Sequence, residues 1–274
     1  MRSSNPALNE KVFQQARLGA VTEAEPGWAA GRPIEDTYAA PAYRGPVVGE
    51  DTMTLNGVVW ASASLIVLVI AAGVFGWNSV DHTNDVVSMP GWLPLVLFAG
   101  LGVAILTIFK PKLARFTAPL YALLEGALLG AISALYNTAY DGIVVQAVAL
   151  TIGVFAVMLF LFATRVIRVT EKLRAGIFAA TGAIMLVYVA NLILSLFDMN
   201  IPFLHSTGAV GIGISLVIVG VAAFNLLLDF DLVERGVEAG APRYMEWYAA
   251  FGLLVTLIWL YLELLRLLAK LQRR

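Results

Sequence analysis

The chain has 274 residues, of which 59% are hydrophobic and only 14% charged. A soluble domain carries about 45–50% apolar and about 25% charged residues, so this is the composition of a membrane protein. A net charge of -1 makes no electrostatic case for nucleic acid, and the lack of cysteine excludes disulfides and thiolate metal sites.

Residues 1–51 mix Pro, Gly, Ala and charged side chains without a sustained apolar period. Such a segment cannot bury enough apolar area to offset its ordering entropy, so it reads as a flexible tail, with no apolar core of a cleavable signal peptide. From Thr54 onward seven apolar stretches follow, at about residues 55–76, 92–109, 116–136, 143–164, 175–197, 208–228 and 247–268. Each is close to the ~20 residues that span a hydrocarbon core. The connections are short, which predicts a compact all-α bundle over residues 52–271 with mostly antiparallel sequential neighbours.

Orientation follows from the loops. Lys110, Lys112 and Arg115 follow the second stretch, Arg165, Arg168, Lys172 and Arg174 the fourth, and Arg235 and Arg243 the sixth. The intervening loops, which hold the two histidines His82 and His205, contain no Lys or Arg. The positive-inside bias then puts the tail and the basic loops in the cytoplasm of a multi-pass protein of the inner (plasma) membrane. A seventh span carries Arg266, Lys270, Arg273 and Arg274 to the outside, against that bias. Either the last segment crosses despite its charge or it re-enters, and the dominance of earlier segments favours seven spans.

The third stretch carries Ala118, Ala122, Gly126, Gly130 and Ala134 at four-residue intervals, a small-residue stripe on which another helix backbone can pack closely. Glu125 lies beside it, nine residues or about 14 Å into the span, near the middle of a ~30 Å core. An acid at that depth is protonated, paired or lining water, and is a candidate for proton or cation handling. The sixth stretch runs into residues 224–236, FNLLLDFDLVERG, placing Asp229 and Asp231 at a membrane edge. Asn225 is four residues before Asp229 and shares its face, whereas Asp231 lies about 200° further round, so Asp229 is read as the inward-facing acid. In the last stretch Glu263 is followed by Arg266 at i+3, either a snorkelling interfacial pair or a further ion site. No phosphate loop, HExxH, GxSxG or His/Cys cluster is present, so the chain has no visible enzymatic apparatus and no metal site of defined ligand geometry.

Three of these segments carry a resemblance: residues 118–133 (APLYALLEGALLGAIS), 224–236, and the closing 250–271 (AFGLLVTLIWLYLELLRLLAKL). In that order and spacing they resemble the Bax inhibitor-1 (TMBIM) family, and the opening MRSSNPAL is similar to its bacterial YccA-like branch. The resemblance implies a seven-helix fold with the last helix surrounded by the other six. It implies a pH-sensitive calcium leak gated by two aspartates near the cytoplasmic end, with Ca2+ the candidate transported or bound ion; no cofactor is expected. The family's first aspartate corresponds to Asp229. Aligning the closing LLR puts Thr256 where the second would stand, and Glu263 lies two turns further on. Glu125 is an additional acid available to substitute, with Asp229 from a neighbouring helix. Two functional readings therefore stand beside the bilayer contact itself. One is a proton-sensitive cation channel or transporter. The other is an interaction protein that modulates other membrane machinery, such as a membrane-bound AAA protease.

Overall fold

A computed structural model describes residues 52–80, 90–195, 197, 206 and 208–273. The predicted tail (1–51), His82, His205 and Arg274 lie outside the described residues. Among the described residues the chain is helical: α1 Leu55–Asn78, α2 Leu93–Phe109, a 3-10 turn Pro111–Leu113, α3 Ala114–Ala139, α4 Ile143–Ala163, α5 Glu171–Ser195, α6 Ala209–Glu238 and α7 Met245–Gln272. In hydrocarbon every backbone N–H and C=O must be satisfied within the protein, and a helix does this within one segment. Six of the seven helices are long and apolar enough to cross a bilayer. The 17-residue α2 is about 26 Å long, at the short end of what can span.

The helix ends have local causes. Thr54 caps α1, its hydroxyl accepting from the amide of Gly57 at 2.9 Å. Thr170 does the same for α5 through the amide of Leu173 at 3.2 Å. α6 stops at Gly240, whose φ of 62° suits a residue without a Cβ, and the amides of Gly240 and Ala241 close back onto Val237 and Gly236. α6 is 30 residues long and continues nine residues beyond Asp229. Asp229 is therefore inside a helix, not at its end as the apolar pattern suggested. The extension carries Asp231, Glu234 and Arg235, whose ion pairs with neighbouring segments support a helix past the edge of the hydrocarbon.

α7 is the axis of the bundle. It packs against α6, α1, α4 and α3, and none of its residues from Met245 to Lys270 is exposed. α5 is peripheral, with Ile177 as its one buried residue among those described. The outward surface is apolar (Trp60, Phe98, Phe160, Phe178 and Leu186, for example), which water would not tolerate and a bilayer supplies.

The tightest packing joins α3 to α1, which run parallel, Val69 meeting Gly126 and Gly73 meeting Gly130. A Cβ on Gly126 would stand 2.6 Å from the carbonyl oxygen of Val69, and one on Gly130 would overlap the carbonyl of Gly73. Gly76 of α1 answers in kind, its Cβ position overlapping the carbonyl of Ala127. The small-residue stripe is thus a backbone-to-backbone contact, with Ala118, Ala122 and Ala134 buried along it.

Candidate functional site

Asp229 projects from α6 toward α7. Its Oδ2 is buried and has no hydrogen-bond partner in the protein. Its Oδ1 lies toward Gly252, 3.9 Å from the position a Cβ would take there, and the Thr256 hydroxyl is its side-chain partner one turn along. Thr256, aligned with the missing second aspartate, thus does face Asp229. Around them pack Leu226, Leu227, Phe230, Ala249 and Leu253, all buried. An acid held in apolar surroundings with one oxygen unpartnered is costly to keep charged unless a cation or proton joins it.

The other candidate residues on α6 are engaged elsewhere. Asn225, expected to share the Asp229 face, donates its amide to Thr181 Oγ1 of α5 and to the carbonyl of Val221, each at 2.8 Å. It fastens α5 to α6, because the 40° offset between positions four apart is enough to aim it at a different helix. Asp231, with 13% of its side chain exposed, turns to α5. It is paired with Arg174 at 2.7 Å and Arg235 at 3.0 Å, and Arg174 also holds Glu171 at 3.1 Å. Beside that cluster Arg165 makes a two-pronged pair with Glu234. The ion pairs tie the start of α5 and the segment after α4 to the protruding end of α6.

Glu125 faces α2. Its Oε1 lies 3.4 Å from the Cβ position of Gly100, so the glycine makes room for the carboxyl, and Tyr121 one turn earlier is its hydrogen-bonding partner. The ring of Tyr121 in turn meets Phe251 of α7 edge-on at 5.0 Å. The partners of Glu125 are thus on α2 and α3, those of Asp229 on α7, and the two acids do not form the joint pair that the sequence left open. Nor is Glu263 a substitute. It is 2% exposed and accepts from Arg266 (3.0 Å), Tyr188 of α5 (2.6 Å) and Trp259 (3.3 Å). The Glu263–Arg266 pair exists, but as a buried tie to α5 in place of a snorkelling surface pair.

Sequence reading missed two buried charges, both on α7. Glu246 accepts from the backbone amide and the hydroxyl of Thr54, each at 2.9 Å, joining the starts of α7 and α1. Lys270 donates to the carbonyl of Gly211 and to Ser215 Oγ at the start of α6. The signal for Lys270 was its i+4 spacing from Arg266 on an otherwise apolar face. These contacts carry α7 from the end of the bundle where α1 begins to the end where α6 begins, so the last segment runs through the bundle without turning back, and it is long and apolar enough to cross a membrane. They also account for its charge: Arg266 engages Glu263 and Tyr188, Lys270 engages α6, and Arg273 donates to Tyr140 at 2.6 Å.

Among the described residues no group of three or more His, Asp or Glu side chains converges as a metal site would. Curated proteins offer no match to the chain. The pattern of the family described as Bax inhibitor 1 like, however, matches residues 5–273, nearly the full length and all seven helices just described. On that match the chain belongs to the Bax inhibitor 1 like family of membrane proteins.

Proposed function

We propose that this chain is a pH-sensitive cation leak, with calcium as the cation, whose critical group is Asp229. The observation that carries the reading is the buried, unpartnered Oδ2 of Asp229 on the face that α6 presents to the central helix α7. The nearby charged groups are already neutralised: Asp231 by Arg174 and Arg235, and Glu263 by Arg266. Among the described residues Asp229 holds the one buried carboxylate oxygen without a partner, open to a proton or to a hard cation, which favours oxygen ligands. The lysine- and arginine-rich loops support a cytoplasmic position for the Asp229 end of α6, and the resemblance of the opening MRSSNPAL supports the YccA-like branch and a bacterial inner membrane. Glu125, with its Tyr121 partner on the α2 side, is a second and separate proton-handling candidate.

The test is calcium entry into liposomes holding the purified protein, followed with an entrapped dye at about pH 6 and pH 8, a window spanning carboxylates perturbed by burial. Asp229→Asn keeps shape and hydrogen bonding but removes the titratable charge, and should abolish most of the pH response. Thr256→Asp should shift that response, because two carboxylates sharing one site titrate as a pair. Identical flux and pH response in wild type, Asp229→Asn and Glu125→Gln would sink the proposal.

A further inference from the structure

Between α1 and α4 the bundle holds a groove of about 550 Å³ that opens sideways, toward the lipid. One wall is Ile66, Ile70 and Val74 of α1, the other Val148 and Ile152 of α4, and all five are exposed. The floor is Leu129 of α3 with Leu254 and Ile258 of α7, three buried residues. The groove is thus continuous with the lipid-contacting surface, yet it reaches the central helix, none of whose residues from Met245 to Lys270 is exposed.

Its chemistry selects hydrocarbon. No charged residue lines it, and its hydroxyls are already engaged: Ser133 with Tyr261 at 2.6 Å, and Thr151 donating to the carbonyl of Ala147 at 2.7 Å. A polar solute would find no free hydroxyl there, and water entering it would lose hydrogen bonds. Its length selects a lipid tail over a compact apolar solute. The lining runs from Ile66 to Trp77 on α1 and from Val144 to Phe155 on α4, about 16 Å along each helix. That is the depth of one leaflet, half of a ~30 Å hydrocarbon core. The volume is also in the range of built small-molecule sites, about 300–1,000 Å³.

We infer that this groove is a seat for one acyl chain of a bilayer phospholipid, held against α7 between α1 and α4. The seat is independent of the leak proposed for Asp229. The tail fills the space between two helices and supplies α7 with packing on the side that neither of them covers.

The experiment uses the full-length protein in phosphatidylcholine liposomes containing a phosphatidylcholine with a diazirine in its acyl chain. After illumination, adducts are mapped by peptide mass spectrometry. The expected result is labelling of α7 within residues 254–261, in addition to the outward faces of all the peripheral helices. Val148→Trp and, separately, Ile152→Trp place an indole at the mouth of the groove. Each should lower α7 labelling at least fivefold while leaving labelling of the peripheral α5 unchanged, which also reports that the bundle is folded. An unlabelled α7 in the wild type would overturn the inference, as would α7 labelling that survives both substitutions. So would cross-links joining α1 and α4 of two protein copies in place of lipid adducts, since these would assign the groove to a second chain.

Discussion

Gly130→Ala adds one methyl group to the small-residue stripe, and its cost can be worked from the contact it meets. The new Cβ overlaps the backbone carbonyl of Gly73, a group that cannot rotate away as a side-chain end could. The two helices must move apart, and they form the most extensive pairing in the bundle. Overpacking a filled core costs about 1–3 kcal/mol and occasionally more, and a collision between backbones belongs at the upper end, about 3 kcal/mol. For a domain of this size that corresponds to a fall in Tm of roughly 6–12 °C, using the soluble-protein relation of about 2–4 °C per kcal/mol. The control is Gly153→Ala in α4, where a Cβ meets nothing within 4 Å, and a helix-favouring alanine should leave Tm unchanged or slightly higher. Gly73→Ala is the finer comparison. Its Cβ would stand 3.5 Å from the carbonyl oxygen of Gly126, an ordinary contact, so it should be far milder than Gly130→Ala although the two glycines touch. Thermal unfolding of the three variants in detergent, followed by circular dichroism, separates these cases. If Gly130→Ala melts with Gly153→Ala, the helices are not held backbone to backbone and the assignment fails.

Three further outcomes are expected. Arg266→Met should destabilise by about 3 kcal/mol, the low end for breaking a buried pair because the arginine side chain is 39% exposed. Adding Glu263→Gln should recover part of that loss, and a double mutant no better than the single would show that the pair is not coupled. Lys270→Met should cost about 1–3 kcal/mol by leaving the Gly211 carbonyl and Ser215 without their donor; an unchanged Tm would show that lipid or water replaces the lysine. For orientation, the absence of native cysteine allows Thr138→Cys and Thr170→Cys to be labelled with an impermeant thiol reagent in intact cells. Thr138→Cys should react and Thr170→Cys should not, and the opposite pattern would invert the topology.

Much of this molecule is legible in one dimension because the bilayer makes it so. A helix that must satisfy its backbone alone needs only length and apolarity, so the spans follow from composition along the chain, and glycines four apart mark a face that a second helix can approach. That Asp229 and Asp231 meet different helices also follows from their separation of about 200° on an ideal helix. What the sequence could not supply is which helix each polar group meets. Asn225 and Asp229 are four residues apart, yet one bonds α5 and the other faces α7, because α6 is wedged between those two helices. The basic end of α7 contradicts the orientation bias only until Tyr140, Tyr188, Gly211 and Ser215 are brought to it from distant parts of the chain, beside the local partner Glu263. Periodicity and charge bias are properties of neighbours in sequence, whereas neutralising a buried charge depends on groups that only the assembled bundle places within 3 Å.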